Sequence, residues 1–294
     1  MVHVSVMTAE VVTFLRPERG GCFVDCTVGL GGHAKALLEA GATRILGLDR
    51  DPHAIAHART ILAPWAERVA LVHADYRDLE AVLDAQGISC VDGALADLGM
   101  SSFQLDHSGR GFSFQRDEPL DMRMDPSAGE TAADLLASAS ERELADAIFA
   151  FGEERSSRRI ARAIVHARRE RRIGTTSELA ALVRRAVPVR GYSRIDTATR
   201  TFQALRIWVN RELEGVDAFL SLAVRRLRSG ARLAVLAFHS LEDRIVKHTF
   251  RSLAHDPTAG VSVLTKRPLT ASDTEVTGNP RARSAKLRVV ERIS

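Results

Sequence analysis

Residues 22–33 read Cys22-Phe23-Val24-Asp25-Cys26-Thr27-Val28-Gly29-Leu30-Gly31-Gly32-His33. A short apolar run ends in an acid, a glycine-rich turn follows, and a helical pattern begins at His33. That order predicts a strand over 22–26, a sharp loop, and a helix over 33–40. Glycines allow the backbone to turn tightly and to pass close to a ligand. In open sheets with parallel strands, ligands bind at the carboxyl ends of the strands. Eighteen residues beyond Gly31, Asp49 closes a second apolar run, Arg44–Asp49, where a carboxylate can accept both hydroxyl hydrogens of a ribose.

Outward from this point the alternation continues. Apolar runs at Val69–His73 and Val91–Asp97 are separated by helical patterns at 52–62 and Leu79–Ala85, the first opened by Asp51-Pro52 as cap and first helical residue. This predicts a parallel sheet with helices on both faces. After Asp97 the alternation stops. Residues 105–125 are rich in Gly, Ser, Arg and Asp, and 131–187 read as successive helices. Ser140…Glu143 and Thr175…Glu178 are capping boxes that open two of them. In a helix over 154–171, Ile160, Ile164 and Ala167 share one face, with Arg158, Arg162 and Arg169 turned away from it. Helices at 197–213, 216–227 and 240–251 and strands at 232–238 and 285–291 restore the earlier character, with 256–260 and 271–279 read as loops. The expected architecture is α/β, a doubly wound sheet carrying an inserted all-helical domain. Its segments are 1–104, 105–200 and 201–294.

The composition fits a globular chain of 294 residues, 45% hydrophobic and 27% charged. No run of about 20 apolar residues suggests a membrane span, and the opening residues lack the basic and apolar regions of a signal peptide. A cytoplasmic location is expected. Cys22 and Cys26 lie about 13 Å apart along an extended strand, too far for a disulfide, and their spacing matches no zinc motif. Charge is unevenly spread. Between Glu153 and Arg200 stand thirteen arginines, no lysine and five acids, a local net charge of +8 against +4 for the whole chain. A segment this basic suggests a polyanionic partner; a solvated helix face is the plainer alternative.

The glycine loop alone is ambiguous, because Gly29, Gly31 and Ala34 also satisfy the G-x-G-x-x-A pattern of nicotinamide-dependent oxidoreductases. Two further strand ends favour a methyl-transferring site. Asp75-Tyr76 closes the third strand, where a methyltransferase would hold adenine against the flat apolar ring of Tyr76; taken by itself, an ordinary loop aromatic is the plainer reading. Asp97-Leu98-Gly99 closes the fourth, where an acid is rarely present for packing.

The sequence becomes specific at Asp97-Leu98-Gly99-Met100-Ser101-Ser102-Phe103-Gln104-Leu105-Asp106. Together with Arg110-Gly111-Phe112-Ser113-Phe114, Pro119-Leu120-Asp121-Met122-Arg123-Met124-Asp125, the stretch from Tyr192 to Asn210, Phe238-His239-Ser240-Leu241-Glu242-Asp243-Arg244 and Asn279-Pro280-Arg281-Ala282-Arg283-Ser284, it resembles the bacterial 16S ribosomal RNA cytosine-N4 methyltransferase family, RsmH/MraW. These stretches span nearly the whole chain. The resemblance implies a class I, Rossmann-like methyltransferase domain with a helical insertion that recognises substrate. It implies S-adenosyl-L-methionine as cofactor and a decoding-centre cytidine of 16S rRNA, within the small ribosomal subunit, as substrate. The family's cofactor contacts fall here on Gly31, Gly32, His33, Asp49, Tyr76, Asp97 and Gln104. The family commonly has phenylalanine at Tyr76 and proline at Phe103.

Cytosine N4 is a poor nucleophile because its lone pair is delocalised into the ring. Many amino-methyltransferases place Asp/Asn-Pro-Pro-aromatic after the fourth strand; Asp97-Leu98-Gly99-Met100 lacks both prolines and the aromatic. Asp97 is therefore expected to orient the amine or the cofactor, and His239 is a candidate proton acceptor, with a satisfied histidine at the rim as the plainer alternative. Phe103, Phe112, Phe114 and Tyr192 are candidates for holding a flipped base, with Phe112 and Phe114 equally readable as core, and the arginines of the insertion for gripping phosphates. His53 and His57 have helical spacing but no third ligand, so no catalytic metal is expected. The sequence leaves the oligomeric state open, a homodimer included, and also leaves open an RNA-binding protein that has kept the fold without the activity.

Overall fold

The computed structural model describes residues 5–106, 108–188 and 196–294. They fall into two compact units, Met1–Gly99 with Gly215–Ser294, and Met100–Glu214.

The first unit begins with helix α1 (Thr8–Leu15) and then alternates as expected: β1 (Cys22–Asp25), α2 (Gly32–Glu39), β2 (Arg44–Asp49), α3 (Pro52–Ile61), β3 (Val69–His73), α4 (Leu79–Ala85) and β4 (Val91–Asp97). The second unit holds α5 (Ser102–Asp106), α6 (Ala132–Ser138), α7 (Glu141–Gly152), α8 (Ser157–Glu170), α9 (Thr176–Ala186) and α10 (Ala198–Asn210). The chain returns to the first unit with α11 (Val216–Arg225), β5 (Leu227–Ala237), α12 (Ser240–His255), β6 (Val261–Val263), α13 (Asp273–Gly278) and β7 (Lys286–Arg292).

The seven strands form one sheet in the order β3-β2-β1-β4-β5-β7-β6. The first five are parallel; β7 runs antiparallel to both β5 and β6. Successive strand side chains point to opposite faces, and each face is covered. Val24, Leu46, Leu48, Ala94, Leu233 and Val235 pack with α4, α11 and α12 on one side. Phe23, Ile45, Leu95, Ala234 and Leu236 pack with α1, α2 and α3 on the other.

Three details differ from the sequence reading. Strand β6 has three residues, too few to show a period. Residues 271–279 are not all loop: Ser272 accepts a hydrogen bond from the Glu275 amide at 3.2 Å and nucleates α13. The boundaries expected after 104 and 200 fall after 99 and 214, because Phe202 and Leu205 of α10 enter the helical core. An amphipathic pattern announces a helix without saying which core it faces.

The second unit closes its own core around Leu136, Leu144, Ile148, Ile160, Ile164, Leu179, Val183 and Phe202. Capping boxes at Thr131/Asp134, Ser140/Glu143 and Thr175/Glu178 start α6, α7 and α9. The irregular stretch before α6 is held by polar pins. Buried Asn210 accepts from the Met124 amide (2.7 Å) and donates to Met122 O (2.7 Å). Arg110 Nη1 donates to the carbonyls of Arg123 and Met124 at 3.0 and 2.8 Å. Among the described residues, no helix is long and apolar enough to cross a membrane.

Candidate functional site

Three acids end neighbouring strands of the first unit: Asp25 on β1, Asp49 on β2 and Asp97 on β4. The loop after β1 continues the sheet pairing on both sides, through Cys26 N to Leu95 O (2.8 Å) and Val28 N to Leu48 O (2.7 Å). The turn is thus wedged between β2 and β4 at the carboxyl edge. The Asp97 amide donates to Thr27 Oγ1 at 2.6 Å, and the Gly29 amide donates to Asp49 Oδ2 at 2.8 Å. Asp49 Oδ1 accepts from the Asp51 amide at 2.8 Å. Gly31 then caps α2 with φ +88°, and a Cβ there would lie 3.2 Å from Leu62 Cγ. The position needs glycine for its conformation and for space. Gly32 and His33 form the first turn of α2, whose opening amides have no carbonyl partner within the helix.

His33 is buried, with Nε2 3.6 Å from Asp97 Oδ2, an ion-pair distance beyond hydrogen-bond reach. Burial pulls its imidazole down, but Asp97, Asp25 and Glu275 outweigh that and hold it above the usual histidine value. Asp25 is 1% exposed, and burial pushes its carboxyl up to about 7 against the pull of His33 and the Thr27 amide. Asp49 is pushed up to about 6 by the same desolvation, partly offset by the Asp51 and Gly29 amides. Four kinds of buried polar atom here have no hydrogen-bond partner: Asp25 Oδ2, His33 Nδ1, His33 Nε2 and Asp97 Oδ1. Native proteins rarely leave such atoms unmatched except where a ligand completes them.

Tyr76 opens a short 3-10 turn after β3, its ring centroid 4.6 Å from that of Phe219. Asp75 beside it is gripped by Arg77 through two hydrogen bonds of 2.8 and 2.7 Å. Burial would raise the Asp75 carboxyl, yet Arg77 and Arg50 hold it below the ordinary range.

His239 stands at the same sheet edge, two residues past the end of β5, whose Leu236 is in register with Asp97. It is the N-cap of α12. Its Nδ1 accepts from the Glu242 amide at 3.3 Å, and its Nε2 lies 3.1 Å from Glu242 Oε1. With Nδ1 accepting, the ring proton belongs on Nε2, a buried atom without a hydrogen-bond partner, so neither ring nitrogen offers a free lone pair.

Gln104 belongs to the second unit. It is buried on α5, accepting from the Ser101 amide at 2.9 Å while its own amide donates to Ser101 Oγ at 3.2 Å. Of the aromatic candidates, Phe112 is buried under Arg110, and Phe114 packs edge-on against Phe202 at 4.8 Å. Both are packing residues. Phe103 is half-buried, and Tyr192 lies outside the described residues. His53 and His57 lie on the exposed side of α3, His57 Nδ1 donating to His53 O at 2.9 Å. All three cysteines are free, and burial raises the thiols of Cys22 and Cys26.

Sequence reasoning passed over Asp25 and Thr27. Asp25 carried the signal used for Asp97, an acid closing a buried strand, but the glycines beside it drew the attention.

The chain matches the MraW methylase family over residues 1–293. It is 50% identical over 291 residues to a ribosomal RNA small subunit methyltransferase H of Sorangium cellulosum, covering 99% of this chain and 91% of the relative. It is 49% identical over 307 residues to the enzyme of that name in Geotalea uraniireducens, covering 99% and 98%. A third, in Nitrobacter winogradskyi, is 50% identical over 302 residues, covering 99% and 90%. With identity at that level along its full length, this chain belongs to the MraW methylase family.

Proposed function

We propose that this protein transfers a methyl group from S-adenosyl-L-methionine to the exocyclic N4 amine of a cytidine in the decoding centre of 16S rRNA, acting on the small ribosomal subunit in the cytoplasm. The observation that carries this is the set of unmatched buried polar atoms on Asp25, His33 and Asp97 beside the open turn of α2. Buried acids raised by desolvation gain most from a cationic guest, and α2's first amides suit a carboxylate. A sulfonium amino acid joined to a nucleoside carries both charges, so these residues fit it.

In this assignment the amides of Gly31, Gly32 and His33 take the carboxylate. Asp49 takes the ribose hydroxyls, with its carboxyl already oriented by the Gly29 and Asp51 amides. Tyr76 supplies an apolar face for adenine, backed by Phe219, and Gln104 is the remaining cofactor contact that the resemblance implies. The cofactor supplies an electrophilic methyl. Asp97 does the protein's part of the chemistry: Oδ1 has no partner and can accept an N–H of the amine. That bond turns the nitrogen lone pair out of the ring plane and toward the methyl. Methylation makes the same proton strongly acidic, so Asp97 needs to orient more than to abstract. His239 is the candidate final acceptor once its ring releases the Glu242 amide. The basic second unit, 105–200 in the sequence reading, holds the RNA.

Mass spectrometry of 16S rRNA from a strain lacking this protein tests the assignment, and one methylcytidine should disappear. Calorimetry that shows NADH binding in place of S-adenosylmethionine would overturn it.

A further inference from the structure

The arginines of the second unit are of two kinds. Arg168 turns toward α6, its Nη1 donating to the carbonyls of Leu136 and Ala139 at 2.6 Å each. Arg172 pairs with Asp134 at 2.6 Å, Arg184 with Asp196 at 2.7 Å, Arg171 with Glu178, and Arg200 donates to Glu153 O at 3.2 Å. These cations hold the unit together. On α8 the pattern reverses. Arg158, Arg159 and Arg169 are exposed, and among the described residues their side chains meet no acid or carbonyl. Arg162 has only a long, exposed pair with Glu141 at 3.5 Å, and His166 is exposed beside it.

At 100° per residue these five positions fall within an arc of about 100°, opposite buried Ile160 and Ile164. The stripe is about 16 Å long. Five cationic or titratable side chains kept together with only the long Glu141 pair among them repel one another, which is a cost with no gain for the fold. Phe149, on the last turn of α7, is 59% exposed. Only four residues join α7 to α8, and the two helices pack together, so Phe149 belongs to the turn of α7 that leads into the helix bearing the stripe.

We propose that the outer face of α8 with Phe149 is a docking surface for single-stranded RNA, with Arg158, Arg159, Arg162 and Arg169 on phosphates and Phe149 stacking on an unpaired base. This rests on the RNA substrate proposed above. Arginine forks match phosphate oxygens, and unstacked bases pack on exposed aromatic rings. A membrane is a poorer partner. An interfacial helix must offer its apolar face to lipid, and that face of α8 is buried in the core.

The test is binding of oligocytidylate to the full chain across a salt series. Changing all four arginines to glutamine should weaken binding at low salt and reduce the log–log salt slope by about 2.8, or 0.7 per lost contact. Phe149→Ala should weaken oligocytidylate binding about tenfold and leave an abasic oligonucleotide unaffected. Arg168→Gln, a structural cation, should leave the slope alone. Circular dichroism and S-adenosylmethionine calorimetry on each variant report folding and the cofactor site separately. A wild-type chain that binds no RNA removes the substrate proposal itself. A wild-type slope that survives the quadruple change overturns only this surface. Tighter binding to anionic phospholipid vesicles than to RNA, lost in the same variant, would assign the face to a membrane and overturn it as well.

Discussion

The sheet edge of the first unit and the outer face of α8 are two places where charge gathers without matching counter-charge, and they are opposite in kind. At the sheet edge the groups are few, acidic and withdrawn from water: Asp25 and His33 are buried, and Asp49 and Asp97 half-buried beside them. On α8 they are cationic, exposed and roughly interchangeable. Buried charge is strong and exacting, because desolvation magnifies each interaction and each displacement. Exposed charge is weak per group, additive and screened by salt. A site that must place one nitrogen needs the first. A surface that must hold a long polyanion, whatever its sequence, is served by the second.

The comparison breaks most readily at Asp97. Asp97→Asn keeps the shape of the carboxyl but takes its charge from the amine and from His33. Turnover at saturating cofactor should fall about 100- to 1,000-fold. Near-normal turnover with normal affinity would remove the orienting role and leave the buried acids without a catalytic reason.

Asp25 tests the same edge through stability. A carboxyl raised from an ordinary 3.8 to about 7 is protonated in the fold while ionised in the unfolded chain between those values. The folded state therefore binds more protons in that window, and stability falls as pH rises through it. Asp49, raised to about 6, and His33, also raised, act in the same direction. Asp25→Asn should remove its share, gaining up to about 4 kcal/mol on wild type between pH 4 and pH 8. Parallel denaturation midpoints for the two proteins across that range would show that the raised carboxyl does not exist.

What was legible in the sequence follows the same division. Strands β1 to β5 were visible because apolar runs and helical patterns alternate, and the acids at their ends because few residues are so out of place on a buried strand. The cap at His239 was not visible. Its Nδ1 bond to the Glu242 amide takes a role that Ser, Thr, Asp or Asn normally fills, so the histidine looked available as a base. On α8 the period separated Ile160 and Ile164 from the arginines. It could not separate Arg168, which closes α6, from Arg169, which closes nothing. That distinction exists only once the neighbouring helix is in place. Phe112 and Phe114 could be read as core or as base platform for the same reason, while exposed Phe149 sits in an ordinary amphipathic stretch.

Asn210 sharpens the contrast from within the second unit, whose tolerance ends where its surface does. Asn210→Leu would bury the Met124 amide and Met122 carbonyl without partners. Leaving two such groups unmatched should lower stability by about 2–3 kcal/mol, read as a lower denaturant midpoint, with methyl transfer by the still-folded fraction intact. A neutral result would mean that the loop over 119–125 is not held by this network.

The smallest effect belongs to the exposed ion pairs. Arg142 and Asp146 face each other across one turn of α7 at 3.6 Å, with both side chains largely in water. Such a pair gains little Coulomb energy in high dielectric and loses side-chain entropy in forming. Arg142→Gln should shift stability by no more than about 0.5 kcal/mol, an effect that vanishes in molar salt. It also leaves α8 untouched, so RNA affinity should change far less than in Arg158→Gln. If the two substitutions weaken RNA binding equally, net charge rather than the α8 stripe governs the second unit, and the proposed surface loses its address.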